Sequence, residues 1–179
     1  KRNDDNSYEV QILDSKFKIN LSLVPKFNGP NYPSLILRGR EGLSMKGPSK
    51  EYSSMYYSKP HLLVTGKVEI PSRKWKVEGL AWLDHEWSNS LLAKEAVGWD
   101  WLGVNLFDGG SLMAFRIRRS DQTTFWSNFS ILDKYGNTHP FFSEKNQSKE
   151  KQFNIKWKTV KIWESPKSFA KYPVTQELY

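Results

Sequence analysis

The chain has 179 residues, with 27 Lys and Arg against 19 Asp and Glu, and no cysteine. Without cysteine there is no disulfide framework, thiolate metal site or cysteine nucleophile, and a mean hydropathy of −0.65 leaves no long apolar run for a membrane-spanning helix. A net charge of +8 raises nucleic acid or anionic lipid as partners. The cations, however, alternate with apolar residues, as in Lys16-Phe17-Lys18-Ile19 and Ile155-Lys156-Trp157-Lys158. In a strand such alternation sends charge to the solvated face, so no nucleic-acid partner is expected. Residues 1–7 are polar and show no signal-peptide core.

Period-two patterning runs along the chain. Phe17, Ile19, Leu21 and Leu23 share one face, with Lys18, Asn20 and Ser22 on the other. A turn is expected at Asn28-Gly29-Pro30. Leu62, Val64, Val68 and Ile70 alternate around Gly66, and Trp75, Val77, Ala81 and Leu83 alternate around Gly79, with a turn at Pro71-Ser72 between the two sets. Residues 89–96 are expected to form a short turn of helix. Strands follow over 97–107 and 111–118, joined by the hairpin signal Asp108-Gly109-Gly110. Another is expected over 123–132, ending in the turn Tyr135-Gly136-Asn137. The polar run 144–152 reads as a loop, and 153–163 as a last strand. Many short strands with close turn signals and almost no helical periodicity predict an all-β, antiparallel sandwich or barrel.

Asp84-His85-Glu86 is the most conspicuous cluster of chemistry-bearing residues. Neighbours in a strand point to opposite faces, so the three cannot easily converge on one ion. A helical zinc motif would need a second His where Asn89 stands; no metal is expected. By parity, His85 and Trp87 continue the apolar face of Trp75, Val77, Ala81 and Leu83, which places them inside. Asp84 and Glu86 then share the opposite face with Trp82. A buried imidazole needs a partner. Asp100 is the candidate, across a hairpin centred between Trp87 and Val97. Such a pair is either an acid–base centre or a structurally satisfied core pair. Trp75, Trp82, Trp87, Trp99 and Trp101 either fill a core or wall a cavity whose aromatic faces stabilise cations. Gly42-Leu43-Ser44-Met45-Lys46-Gly47 departs from the G-x-S-x-G nucleophile motif at Lys46. Asn128-Phe129-Ser130 and Asn146-Gln147-Ser148 fit a glycosylation triplet that is common by chance.

An ordered series carries a resemblance: Leu43-Ser44-Met45-Lys46-Gly47, Ser53 to Ser58 (SSMYYS), Gly79 to Trp87 (GLAWLDHEW), Gly98-Trp99-Asp100-Trp101, and Asp108-Gly109-Gly110 through Met113 and Arg116. It resembles the lipocalin-like family that includes carotenoid 1,2-hydratases (hydroxyneurosporene synthases) and AttH-type proteins. The resemblance implies lipocalin-like β-barrels in tandem around an apolar cavity. Residues 1–90 would then belong to a first barrel and 91–179 to a second, as part of a longer two-barrel protein or as one compact domain. The Asp-His-Glu-Trp form is closer to the AttH type than to the carotenoid hydratases, where Asp-His-Asn-Trp is more usual.

Two functions follow from that resemblance. One is cofactor-free hydration or isomerisation of a double bond in an apolar, isoprenoid-like substrate. Asp100 or Asp84 would supply the proton, His85 would orient it or position water, and Glu86 completes the catalytic set. Trp82, Trp87, Trp99, Trp101, Tyr56, Tyr57 and Arg116 would line the ligand. The other is a non-enzymatic carrier of an apolar ligand, working with an ABC-transporter system or at a membrane surface. A bacterial, extracytoplasmic location is expected for either.

Overall fold

The computed structural model describes residues 1–27, 33, 35–90, 92–142 and 156–179. The expected turn at Asn28-Gly29-Pro30, the loop 144–152 and the triplet at Asn146 lie outside the described residues. Two units are present, Lys1–Pro140 and Phe141–Tyr179.

The first unit is built on a long ribbon. Strands β5 (Ser53–Ile70) and β6 (Arg73–Trp87) pair antiparallel along their length and turn at Pro71-Ser72. On one edge, β2 (Lys18–Pro25) pairs β5, and β1 (Tyr8–Leu13) pairs β2. Short strands β3 (Ile36–Leu37) and β4 (Leu43–Met45) also pair β5, near its start. The apolar sets read from the sequence fall opposite one another, with Ile19 against Val68, Leu23 against Val64, and Val68 against Trp75. Gly66 is required by the β2 pairing, since a Cβ there would lie 2.2 Å from the Asn20 carbonyl oxygen.

A four-stranded sheet follows in the order β10-β9-β8-β7. It comprises β7 (Gly98–Asn105), β8 (Ser111–Arg118), β9 (Thr124–Leu132) and β10 (Thr138–Phe142). The β7–β8 turn forms as its glycines predict. Gly109 has φ 96°, a left-handed conformation that glycine adopts without penalty, and Asp108 Oδ1 accepts from the Gly110 N–H at 2.9 Å. Tyr56 of the first sheet packs on Met113, Phe115 and Ile117 of the second, with Trp82, Phe125 and Trp126 around them. That contact is the core of the unit.

The expected helix at 89–96 does not form; its described residues are irregular. Among the described residues the helical segment is a single 3-10 turn, Lys50–Tyr52, whose N-cap Ser49 accepts from the Glu51 N–H. In the second unit, β11 (Trp157–Glu164) and β12 (Lys171–Leu178) form an antiparallel hairpin, with Trp163 against Tyr172 at 5.7 Å.

One irregularity governs what the ribbon presents. Lys59 lies opposite Leu83, but the next pair is Leu62 with Ala81, so β5 carries an extra residue at Pro60-His61. His61 takes φ 53° there, and an extra residue of this kind is a β-bulge. Its consequence follows from parity. Beyond the bulge, Leu62, Val64, Trp75, Val77 and Ala81 share the more buried face, while Leu63 and Leu80 are exposed. Before it, Ser54, Tyr56 and Ser58 are buried on the opposite face of the ribbon, and Lys59, beside the bulge, is buried as well. The inward side therefore changes at the bulge. His61 fixes the crossing point: its N–H donates to Asn105 Oδ1 at 3.0 Å, and its Nε2 donates to the Gly110 carbonyl at 2.7 Å.

Candidate functional site

Paired with β5 before the bulge, Asp84 and Glu86, not His85 and Trp87, stand on the face shared with Tyr56, although all four residues are exposed. This corrects the parity extrapolated from Trp75 to Leu83. His85 is exposed and Trp87 is 50% exposed. His85 Nδ1 bonds the Tyr57 hydroxyl at 3.0 Å, and the rings of Tyr57, His85 and Trp87 form an outward-facing aromatic trio.

The expected hairpin between β6 and β7 is also absent: β6 pairs β5, and β7 pairs β8. Asp100 is consequently not the partner of His85. It lies opposite Arg116 in the β7–β8 ladder. One of its oxygens accepts from Arg116 Nε at 2.6 Å and meets Arg118 Nε at 3.1 Å. Asp100 and Arg116 are buried, on the face of this sheet opposite to Phe115 and Ile117. This is a buried ion cluster away from the aromatic wall, and Arg116 does not face that wall. Trp99 stands opposite Ile117 on the same face as Trp101, and is 56% exposed.

What the fold does assemble is a polar network centred on Asp84. Its Oδ1 accepts from the Ser58 hydroxyl at 2.5 Å and from the Trp82 indole at 2.8 Å, and its Oδ2 accepts from the Tyr56 hydroxyl at 2.9 Å. The Tyr56 hydroxyl in turn accepts from the Trp101 indole at 3.0 Å. The two indoles meet edge to face at 6.0 Å, a favoured geometry for aromatic rings. Room for this comes from Gly103, where a Cβ would lie 2.5 Å from Trp101 and 3.1 Å from Trp82. Burial pushes the Tyr56 hydroxyl well above its usual range, and the nearby Asp84 charge adds to the effect. Tyr56 is thus held as a neutral donor. Glu86 sits one step along the same face, hydrogen-bonded by Ser54 and paired with Lys46 at 2.5 Å.

Arg38, which follows β3, extends the network to the second sheet. Its Nε donates to Ser58 Oγ at 2.8 Å and its Nη1 to Ser130 Oγ at 2.7 Å. The guanidinium lies 5.4 Å from the Trp82 ring and is 3% exposed. Burial lowers its pKa to about 10, opposed by its electrostatic interactions with Tyr56 and Asp84. Beside it is a cavity of about 260 Å³, lined by residues 35–37 with Arg38, Asn128, Ser130 and Thr138. A larger and shallower depression of about 540 Å³ lies between Leu43, Ser54, Met55, Trp87 and Ser90. Among the described residues no group of three His, Cys, Asp or Glu is placed to hold a metal ion.

Of the site residues expected from sequence, Asp84, Trp82, Tyr56 and Trp101 are brought together, with Glu86 adjacent. His85, Trp87 and Tyr57 form their own exposed cluster, and Asp100 pairs with Arg116 and Arg118. Sequence reasoning missed Arg38, Ser58 and Ser130. The alternation Ser54, Tyr56, Ser58 is a legible signal of a polar inner face, and Pro60 within a strand run marks an irregularity. Arg38 has no local signal, since a lone Arg after Leu35-Ile36-Leu37 reads as a surface residue.

Two antiparallel sheets packed on one another through Tyr56, Met113, Phe115 and Ile117 define a protein of the lipocalin-like class. A solved structure of kievitone hydratase from Nectria haematococca shares this fold, with 12% identity, a TM-score of 0.68, and coverage of 97% of this chain and 48% of that one. A solved structure of an AttH from Nitrosomonas europaea is more similar, at 34% identity and a TM-score of 0.84, covering 99% of this chain and 51% of that one. The sequence pattern of the AttH-like family matches residues 1–179, and the chain belongs to that family. It spans about half the length of both solved relatives. Among curated proteins none matches.

Proposed function

We propose that the chain binds an apolar, isoprenoid-like ligand along the wall formed by Trp82, Trp101 and Tyr56, and that Asp84 moves the proton in adding water across a double bond. The observation that carries this reading is the convergence of three donors on the Asp84 carboxylate at 2.5–2.9 Å, one of them the Trp82 indole, which packs edge to face with Trp101. Protonated Asp84 would give its proton to one alkene carbon. The donors from Ser58, Trp82 and Tyr56 would hold the carboxylate left behind, as preorganised dipoles do where charge develops. The indole faces would stabilise the carbocation. Water would then bond to the second carbon, and its surplus proton would return to Asp84, so that no cofactor is consumed. Likeness in fold to a protein named a hydratase supports the reaction class.

Incubation with polyenes in ¹⁸O-labelled water tests the reaction. Wild type should incorporate one labelled oxygen per product, and Asp84→Asn should be slower by about 10²–10⁴, the usual worth of a positioned acid. Equal rates would remove Asp84 from the mechanism.

A carrier of unaltered apolar ligand, linked to an ABC-transporter system in the bacterial envelope, is a second reading. It is favoured by the fact that both Asp84 oxygens already accept from the protein, as in a structural network. Native mass spectrometry separates the two: a co-purified, chemically unchanged ligand together with no labelled product supports the carrier.

A further inference from the structure

The Arg38 guanidinium is buried without a carboxylate within ion-pairing distance among the described residues. Two neutral hydroxyls, Ser58 and Ser130, take its Nε and Nη1 hydrogens, and Nη2 has no partner among the described residues. Buried charge is costly unless paired, and an arginine edge matches the two oxygens of a carboxylate. Arg38 lines the cavity of about 260 Å³ together with the buried amide of Asn128, the hydroxyls of Ser130 and Thr138, and the aliphatic side chains of residues 35–37. Such a lining suits a group that is acidic at one end and apolar behind it.

We propose that this cavity is a carboxylate subsite, in which Arg38 binds the acid group of an otherwise apolar ligand through its free Nη2 edge, with Asn128 and Ser130 as neutral partners. The inference rests on the apolar-ligand reading above and narrows it from a neutral hydrocarbon to an amphipathic carboxylic acid. Arg38 reaches Asp84 through Ser58, since Ser58 accepts from Arg38 and donates to Asp84. An occupied subsite therefore links the ligand's acid end to the proton-moving group through the Arg38 guanidinium and the Ser58 hydroxyl.

Decanoate and decanol are the probes, because they share one apolar chain and differ at the head. Binding is followed at pH 7.5 by calorimetry and by tryptophan fluorescence, Trp82 being the nearby reporter. Wild type should bind decanoate at least 30-fold more tightly than decanol. Arg38→Gln should lose that preference while keeping its decanol affinity. Should Arg38→Gln fail to fold, Asn128→Asp serves instead: it sets a carboxylate in the same cavity, gives the guanidinium a counter-ion, and should abolish the preference in a folded protein. Equal affinity of wild type for the two probes, or a preference that survives both substitutions, overturns the subsite and leaves the apolar-ligand reading standing. Binding of neither probe by wild type overturns both.

Discussion

The Trp101 indole donates to the Tyr56 hydroxyl at 3.0 Å, tying β7 of the four-stranded sheet to β5 of the ribbon. Tyr56 passes the connection on to Asp84. The contact between sheets is thus polar at its centre, within a ring of apolar contacts from Met113, Phe115 and Ile117. Satisfied polar networks specify one arrangement of the layers; this one is buried at Tyr56 and Ser58 and open to water at Asp84 and Trp101.

Tyr56→Phe removes the hydroxyl between Asp84 and Trp101. It leaves the Trp101 N–H, in a side chain 42% exposed, without its acceptor, a loss of about 0.5–1.5 kcal/mol, the net worth of one hydrogen bond. Urea unfolding should show that loss with an unchanged dependence on denaturant, and tryptophan emission should change in the folded state. Unaltered stability would mean that water replaces the hydroxyl.

Asp84→Asn and Asp100→Asn should behave oppositely. Asp84→Asn should slow water addition and keep the fold, because the amide oxygen can still accept from Ser58 and Trp82 while the amide N–H donates to the Tyr56 hydroxyl. Asp100→Asn should leave turnover per folded molecule unchanged and lower stability. Full loss of the carboxylate in Asp100→Ala should cost about 3–5 kcal/mol, as for a broken buried ion pair. Thermal unfolding and labelled-water turnover of both proteins give the comparison.

Gly103→Ala inserts a Cβ 2.5 Å from the Trp101 ring. Overpacking of this kind costs about 1–3 kcal/mol. The ring should turn away from Trp82, and near-ultraviolet circular dichroism, which reads paired indoles, should lose intensity. Gly79→Ala is the control, for nothing lies within 4 Å of a Cβ there.

Asp133 at the β9–β10 turn gives a pH prediction. It accepts from His139 and from Asn137 and Tyr135, and these bonds, His139 first, hold its carboxyl well below the usual range. A depressed carboxylate contributes stability above its unfolded value of 3.8, and the contribution is lost as pH falls through the folded value. Amide protection at Gly136 and Asn137 should therefore decline below about pH 4. In Asp133→Asn it should be low and flat across the same range.

Much of the strand framework was legible because half-buried strands alternate. β8 falls at the expected 111–118, and β7, β9 and the two arms of the ribbon differ from expectation at their ends. β1 and β12 carried weaker signals: Val10 and Ile12 alternate over too short a stretch, and Pro173 interrupts the other. The site was legible in its residues and not in its directions. Trp82, Asp84 and Tyr56 were singled out, but parity was carried unbroken from Trp75 to Trp87. β6 is indeed regular; the bulge is in its partner β5, and the change in which face is covered comes from what packs on each half. That is tertiary information, absent from the alternation of either strand. The pairing of Asp100 was misassigned for a related reason, since the short link between Trp87 and Val97 suggested a hairpin, whereas the chain crosses there from one sheet to the other.

The extra residue at Pro60-His61 lets β5 shift its odd–even numbering while β6 keeps its own. Deleting Pro60 would leave both halves of the ribbon in register, with Lys59 still opposite Leu83 and Leu62 still opposite Ala81, so Tyr56 would stay on the side of Asp84. What would go is the kink from which His61 reaches Asn105 and Gly110. The bulge thus works as a rivet between the sheets: a shorter β5 would present the same side chains and lose the fastening that holds them to the β7–β8 turn.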